Sequence, residues 1–571
     1  MDFNTLKKNL KKDFSSFKKV KIAILGDSAT QMFNKAIKGF GYEEEINFEI
    51  YEADYDQIHQ EVFDINSGLY QFEPEFTIIF FSTQKLLNRF YKDKTDKIAF
   101  GDDFILGLDS ICQILDQTLN TKIIISNYVE LDNRLYGNYS NKIEVSFLYQ
   151  LRKINFELMH LAQKEKNIFI TDLNYLQSVH GNDFTFDEKF YYSANLAFSL
   201  DFYAVYAQNV TQIISSILGS FKKCLILDLD NTTWGGIIGD DGMEKIQIGT
   251  LGIGKIFTEF QKWAKQLQKR GIILCICSKN TEEVAKEPFE KHPDMVLRLD
   301  DIAVFVANWN NKADNIRYIQ EVLNIGFESM VFLDDNPMER SIVSENIPNI
   351  TVPELPQDPA QYLSYLRGLN LFEIASVSEN DQKRTEQYKV EAKRKIEMKN
   401  YTNEKDFLKS LTMVSTVNPF NNFNIPRVSQ LSQRSNQFNL RTIRYTEEEL
   451  NKIINSDKHY TFAFSLEDKF GYNGIISIII LTETNPKTIF IDTWIMSCRV
   501  LKRGMENFAL NSIVEFAKGK NYQRIVGERI PTKKNKLVEN HYQDLGFKFE
   551  NDKWSLDISN YESKLNYIEK K

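Results

Sequence analysis

Asp228 and Asp230 stand two residues apart at the end of an apolar run, Leu225-Ile226-Leu227-Asp228-Leu229-Asp230-Asn231-Thr232. Alternation along a strand points both carboxylates the same way. They repel unless a cation lies between them, and a hard ion such as Mg2+ takes oxygen ligands of this kind. With that ion in place Asp228 has the chemistry of a nucleophile towards phosphorus. Asp230 has that of an acid that protonates the leaving oxygen and a base that then activates water. A second acidic pair, Asp334-Asp335-Asn336, follows the apolar run 330–333 and completes the cation site. Ser278-Lys279-Asn280 ends the run 272–277, where Ser278 and Asn280 are placed to hydrogen-bond phosphate oxygens. Lys312, in Asn308-Trp309-Asn310-Asn311-Lys312 at a helix start, neutralises Asp228 and the phosphoryl group.

Cys277 adjoins Ser278 and has two readings. It is either a plain core residue of its strand or a thiolate that carries an acyl group as a thioester. Alternation sets Cys277 and Cys275 on one face and Ser278 on the other.

All these residues must be brought to one edge of a sheet. Each sits at the carboxyl end of an apolar run or in the loop after it, which is where open α/β sheets bind ligands. The surrounding chain supplies such sheets. Runs at 20–25, 48–51, 76–81, 122–126 and 168–171 alternate with helical stretches, the pattern of a doubly wound parallel sheet. A second alternating unit starts at 221 and continues to about 370. The charged stretch 371–400 reads as a solvated helical linker. From 401 the strands lengthen into hairpins, at 460–466, 474–482 and 488–496, followed by a helix from 504. That is an α+β layout. The expected division is therefore 1–220, 221–370, 371–400 and 401–571.

Composition removes other classes. The 571 residues hold 70 Lys plus Arg against 78 Asp plus Glu, a net charge of −8. This gives no basic excess for a nucleic-acid backbone. The longest nearly apolar run, 475–481, is far short of a membrane span. Residues 1–19 are lysine-rich and lack the apolar core of a secretory signal. The five cysteines, Cys112, Cys224, Cys275, Cys277 and Cys498, contain no CxxC pair. A zinc site or disulfide framework is therefore not expected, and the compartment reads as reducing and cytoplasmic.

The ordered set Asp228/Asp230, Ser278, Lys312 and Asp334/Asp335 resembles the haloacid dehalogenase (HAD) superfamily over about 221–370. The runs Asp228–Gly242, Cys277–Asn280, Asn308-Trp309 and Phe332–Arg340 are similar to its FkbH-like branch, subfamily IIIC. The resemblance implies a Rossmann-like domain with a short flap at 234–242 and no large cap. It implies Mg2+ held by Asp228, the backbone carbonyl of Asp230 and Asp334 or Asp335. It also implies a phosphorylated three-carbon acyl donor and transfer of a glyceryl-type group to the thiol of an acyl carrier protein.

The flanking segments have weaker outlines. Gly26-Asp27-Ser28 resembles the first block of SGNH (GDSL-type) hydrolases, a flavodoxin-like three-layer fold in which Ser28 would be the nucleophile. Two expected blocks are missing: Ser82-Thr83-Gln84 stands where Gly-x-Asn-Asp belongs, and Asp172 has no His three residues on. His180 follows at a distance. The reading is a largely degenerate fold kept for docking. In the third segment, Arg499 and Gly504, with Tyr542 later, resemble the pyrophosphate loop and general acid of GNAT acyltransferases. Lys502 replaces the first glycine of that loop. A pantetheine arm is the expected ligand, with Tyr542 either protonating a thiolate or packing against the turn 545–547. Cys498 is either a second acyl-carrying thiol or a small residue at a strand exit. The amide-rich run Arg434–Leu440 is also similar to FkbH-like chains. It either reads a polar acyl group or caps a turn.

Three alternatives stay open beside phosphatase-coupled acyl transfer. They are a simple HAD phosphatase, a carrier-docking module, and a GNAT-type acyltransferase with a regulatory HAD domain.

Overall fold

Runs of Ile, Val and Phe bounded by polar turns form strands buried on both faces, as parallel sheets require. In the computed structural model five such strands make the first sheet: β1 (Lys18–Gly26), β2 (Ile46–Glu52), β3 (Phe76–Phe80), β4 (Lys122–Ser126) and β5 (Ile168–Thr171). All pairs are parallel, in the order β2-β1-β3-β4-β5. Helices Phe100–Leu119 and Phe147–Lys164 bury their apolar stripes on one core with Leu25, Ile79, Ile123 and Ile125. The structure describes all residues except 95, 134, 377–383, 399, 498–499, 533–534 and 551. The chain divides into two units, Met1–Ser216 and Ile217–Lys571.

The second unit opens with four parallel strands, β6 (Cys224–Leu227), β7 (Ile273–Ser278), β8 (Ile302–Ala307) and β9 (Met330–Leu333), in the order β8-β7-β6-β9. Register decides what these strands present. Leu227 lies opposite both Ile276 and Leu333. Ser278 lies opposite Ala307. The residues following these positions therefore emerge at one level of the sheet edge.

A nine-stranded mixed sheet follows: β10 (Met413–Ser415), β11 (Val417–Asn418), β12 (His459–Asp468), β13 (Gly471–Asn485), β14 (Thr488–Met496), β15 (Arg524–Gly527), β16 (Lys548–Glu550), β17 (Lys553–Asp557) and β18 (Ile568–Lys570). Strand β15 pairs in parallel with only the first half of β14, residues 488–491. Beyond that the two strands part.

The charged stretch expected to be solvated is not. Helix Arg384–Met398 packs on β7, β8 and helix Lys312–Leu323, with Tyr388 buried in the same apolar cluster as Ile316 and Val304. Its charged face is neutralised inside the unit. Arg394 donates to Glu391 at 2.8 Å and to Asp468 at 2.9 Å, while Arg503 bridges Asp468 at 3.1 Å and also Glu391. All four side chains are buried. Two positive and two negative charges cancel, which is the condition under which buried charges are tolerated. Among the described residues no helix is long and apolar enough to cross a membrane.

Candidate metal and phosphoryl site

The carboxyl edge of β6–β9 gathers the acidic residues. The Asp228 amide still pairs with the Leu333 carbonyl at 3.0 Å, so the ladder fixes its backbone. The chain then turns sharply: Thr233 and Trp234 amides return to the Leu229 carbonyl at 2.8 and 3.2 Å, and the Thr233 hydroxyl donates to the Asp228 carbonyl at 2.6 Å. Asn231 takes the left-handed conformation, φ 53°, that this turn needs and Asn tolerates.

Lys312 begins helix Lys312–Leu323, capped by Asn311, which accepts from the Ala313 amide at 2.8 Å. Its Nζ stands 2.9 Å from Asp228 Oδ1 and 2.5 Å from Asp334 Oδ2, and all three side chains are buried. Burial works to lower the Lys312 pKa, but the two carboxylates more than offset it and hold it above the ordinary value. Asp228 is pushed up to about 7 by burial and by the neighbouring Asp334, with Lys312 pulling the other way. Burial, and then the Asp334 charge, also raises Asp335.

Oxygens of Asp228, Asp334 and Asp335 lie within 4.8 Å of one another. Asp228 Oδ1 receives no aligned hydrogen bond; only the Lys312 ammonium stands beside it as an ion pair. Three carboxylates against one ammonium leave the pocket two charges negative when all are ionised. Hard oxygens, a converging set and that residual charge fit a divalent cation.

Side chains beyond the acidic pairs and Lys312 hold this set. Arg340, buried one turn into helix Pro337–Asn346, donates to the carbonyls of Asp334 and Asp335 at 2.9 and 2.7 Å. The Thr232 hydroxyl accepts from the Asp335 amide at 3.0 Å. Asn336 caps the helix and donates its own amide to Asp334 Oδ1 at 2.9 Å. The signal for Arg340 was an arginine within two turns of an acidic strand end.

Asp230 does not join the three converging side chains. Its Oδ1 accepts from Trp234 Nε1 at 2.9 Å and the Ile238 amide at 3.0 Å, and Oδ2 from Asn280 Nδ2 at 2.9 Å. Asn280 also donates to Ser278 Oγ at 3.1 Å, and both are buried. Asp230, Ser278 and Asn280 thus form one hydrogen-bonded wall opposite Lys312. The segment 234–242 is short: Gly235 pairs with Gln247, and Ile238–Asp241 is a single helical turn.

A family model for the FkbH N-terminal domain matches residues 21–215. Among solved structures, the N-terminal part of a Bacteroides fragilis protein, containing a phosphatase domain and complexed with Mg, is 52% identical. That likeness covers 66% of this chain and 100% of that one, with a TM-score of 0.63. The chain belongs to the FkbH-like family. Two acetyltransferases are far more distant. A Vibrio cholerae spermidine N-acetyltransferase in complex with CoA and spermine is 16% identical over 26% of this chain and 97% of that one, at TM-score 0.21. An Escherichia coli ribosomal-protein alanine N-acetyltransferase is 12% identical over 27% and 99%, also at 0.21. Likenesses of that size fix neither fold nor activity here. No curated protein matches the chain.

Elsewhere in the FkbH-like chain several expected roles fail on geometry. Cys277 is fully buried in the cluster of Cys224, Cys275 and Ile316, its Sγ 3.8 Å from the Lys312 carbonyl. Burial raises its thiol well above the usual range. A neutral, enclosed thiol is not an acyl carrier. Alternation holds to the strand end, and Cys277 shares the core face of Cys275.

The third segment is changed most. Arg499 and Cys498 lie outside the described residues. Gly504 caps helix Met505–Gly519 at φ 79°, and Lys502, in the place of a loop glycine, also has positive φ, 64°. Tyr542 is buried, its ring so close beneath β15 that a Cβ on Gly527 would stand 2.4 Å from it. Burial raises its pKa, so it is packed core and not an acid at a surface. The opening where β14 and β15 part is filled by the chain itself. The Leu440 amide bonds to the Trp494 carbonyl at 3.3 Å, the Met496 amide to the Phe438 carbonyl at 3.1 Å, and the Ile530 amide to the Leu440 carbonyl at 2.8 Å. Arg441 spans the fork, reaching Asp492 at 2.6 Å and Glu528 at 3.1 Å. Among the described residues a pantetheine arm finds no free strand edge there. The amide run caps a turn, Asn439 Oδ1 accepting from the Thr442 amide at 2.7 Å, and Asn439 forms a single antiparallel bridge with Ile495 of β14.

In the first unit Ser28 Oγ is buried without a hydrogen-bond partner. Asp172 caps its own helix, accepting from the Tyr175 amide at 2.9 Å, and His180 stacks on Phe184 at 4.7 Å. Among the described residues no base hydrogen-bonds to Ser28. Asp27 is buried beside it, accepts from the Ser82 amide at 2.8 Å, and is pushed up to about 7 by burial.

Proposed function

We propose that this FkbH-like protein is a Mg2+-dependent phosphatase of the HAD type. In the finer reading it couples phosphate loss to transfer of a glyceryl-type acyl group, from a phosphorylated three-carbon donor to an acyl carrier protein thiol. The observation that carries the phosphatase reading is the convergence of Asp228, Asp334 and Asp335 within 4.8 Å beside the buried Lys312. The four parallel strands and the short 234–242 segment support a HAD core without a large cap. An SGNH-like layout for 1–220 and a GNAT-like layout for 401–571 belong to the same proposal, as does a cytoplasmic location.

Bound Mg2+ would be held by Asp228, Asp334 or Asp335 and the Asp230 carbonyl, and would offset charge on the phosphoryl oxygens. Asp228 attacks phosphorus as its carboxylate, forming an acyl-phosphate bond while the bond from phosphorus to the leaving oxygen breaks. Asp230 gives that oxygen a proton. It then takes a proton from the water that attacks phosphorus and frees Asp228. Lys312 and the Ser278–Asn280 wall hold the phosphoryl oxygens where negative charge spreads. Acyl transfer acts on a different atom: the carrier sulfur attacks the acyl carbon and phosphate leaves. With Cys277 enclosed, the acyl group passes to the carrier directly.

The test incubates the protein with Mg2+, a phosphorylated three-carbon acyl donor and a phosphopantetheinylated carrier, following phosphate and intact-protein mass together. Phosphate release that stops with chelator or in Asp228→Asn supports the phosphatase. A mass gain on the carrier supports acyl transfer. Phosphate without any adduct leaves the phosphatase alone, and carrier-independent release that persists in Asp228→Asn refutes the phosphatase reading.

A further inference from the structure

The chain has five tryptophans. Trp234 and Trp494 are fully buried, Trp263 and Trp554 half-buried, and Trp309 is 73% exposed. Exposure of a large aromatic is informative when the backbone beneath it is fixed, and here it is. The Asn308 amide bonds to the Ser278 carbonyl at 3.2 Å, tying the loop to the end of β7. Asn308 and Asn315 exchange side-chain bonds at 3.2 and 2.9 Å, and the Asn310 amide bonds to Asn308 Oδ1 at 3.0 Å. Trp309 is thus presented rigidly at the carboxyl end of β8, three residues before Lys312.

The loops after β7 and β9 continue the same sheet edge. Lys279, after β7, reaches Glu339, after β9, at 2.6 Å. Since β6 lies between β7 and β9, this pair crosses the strand end that carries Asp228. Glu339 Oε2 is buried and has no hydrogen-bond partner. Met338 beside it is 68% exposed. From β8 to β9 are three strand spacings, about 14 Å. The edge therefore reads apolar, charged, apolar, with one buried acceptor unsatisfied. From Asp228 to Trp309 are two spacings, about 10 Å, beyond the reach of a three-carbon group bound at phosphorus.

We propose that Trp309 is a specificity residue for an extended, amide-bearing arm. Methylene groups lie on the Trp309 and Met338 side chains, and an amide N–H supplies the partner that Glu339 Oε2 lacks. An indole face offers a large apolar contact at little entropic cost. The proposal rests on the acyl-transfer reading of this same site and names where its thiol-bearing partner is received.

The test titrates pantetheine against the full chain and against Trp309→Phe, following tryptophan emission without donor. A change in emission in the wild type that is lost in Trp309→Phe is expected. In turnover with the phosphopantetheinylated carrier, Trp309→Ala should raise KM for the carrier at least tenfold. KM for the phosphorylated donor should change less than twofold, a split that general damage to the fold would not produce. An emission change equal in both proteins, no change in the wild type, or equal shifts in both KM values overturns the proposal. If no phosphate is released by the wild type, the phosphatase reading falls, while the emission titration still decides Trp309.

Discussion

Replacing Lys312 with Met removes an ammonium group and keeps most of the chain that fills its place. In the structure that ammonium is 2.9 Å from Asp228 and 2.5 Å from Asp334, with all three groups buried. At an effective dielectric constant of about 20, unit charges 4 Å apart attract by about 4 kcal/mol. Much of this is offset by desolvation, and removing one partner of a buried pair costs a net ~3–5 kcal/mol. The cost depends on pH. Burial, and with it Asp334, pushes the Asp228 carboxyl up to about 7, while Lys312 pulls the other way. In Lys312→Met that value rises further. A carboxylate whose folded pKa exceeds its unfolded value holds its proton more tightly when folded. It carries no penalty below the unfolded value, near 4, and the full penalty above the folded one. In metal-free protein the loss in Lys312→Met is therefore larger near pH 8 than near pH 5, by on the order of 1.4 kcal/mol for the one pH unit above the wild-type value at about 1.36 kcal/mol per unit. The chain has two units and need not unfold in one step, so the readout is hydrogen exchange at the β6 amides of Leu225, Ile226 and Leu227, with chelator, at both pH values. A difference below ~1 kcal/mol at pH 8, or one that does not shrink towards pH 5, refutes the reasoning. With Mg2+ present, loss of the same fixed cation should lower kcat by about 10²–10³.

Asp27 is pushed up to about 7 by burial, so the first unit should lose stability as pH rises from about 4 to 7, by an amount on the order of 4 kcal/mol at 1.36 kcal/mol per pKa unit. Asp27→Asn should flatten that slope in thermal unfolding of this unit, and parallel slopes would exclude the assignment. Ser28→Ala removes a buried hydroxyl that bonds to nothing; it should change stability by less than ~0.5 kcal/mol or raise it, and a loss above ~1 kcal/mol would mean the hydroxyl has a partner. Arg394→Met leaves Glu391 and Asp468 sharing Arg503 alone, and should cost the second unit ~3–5 kcal/mol in denaturant unfolding. A cost under ~1 kcal/mol would show that the cluster is solvated.

What could be read from sequence depended on whether a residue's neighbours in the chain were also its neighbours in space. Asp228, Ser278, Lys312 and Asp334 each follow an apolar strand, and a parallel sheet places such residues at one edge whatever the helices do. Their convergence was therefore legible, and so was the enclosure of Cys277 as one of two readings. Helix Arg384–Met398 is not the solvated linker expected, because its charges look like a solvent face while the partners that neutralise them, Asp468 and Arg503, lie 74 and 112 residues away. The same distance hid the fate of Phe438–Leu440. Nothing local says that an amide-rich run will pair with β14, since the gap it fills exists only after β14 and β15 part. Tyr542 followed from a motif resemblance, and the motif does not show that Gly527 leaves room for its ring inside the core.

The run from Arg434 to Arg441 has two ends, and the first reaches back to the strand that bears Asp228. Asn436 Nδ2 donates to the Gly219 carbonyl at 2.7 Å, and Lys223 Nζ donates to the Arg434 carbonyl at 3.0 Å. Gly219 and Lys223 lie just before β6, and the Lys223 amide is itself bonded to the Ser329 carbonyl at 2.7 Å ahead of β9. One short segment thus closes the fork of the mixed sheet and steadies the start of β6. Two consequences follow from one set of bonds. The mixed sheet loses the free strand edge on which an amide arm would pair, and the strand carrying Asp228 gains a fixed origin five residues before that residue's own ladder bond. A ligand that forced the fork open would have to break the Leu440, Met496 and Ile530 bonds and strain the Asn436–Gly219 contact with them. The bonds therefore favour a mixed sheet that braces β6 over one that receives a substrate arm, and this is why the arm is sought at the rim beside Trp309.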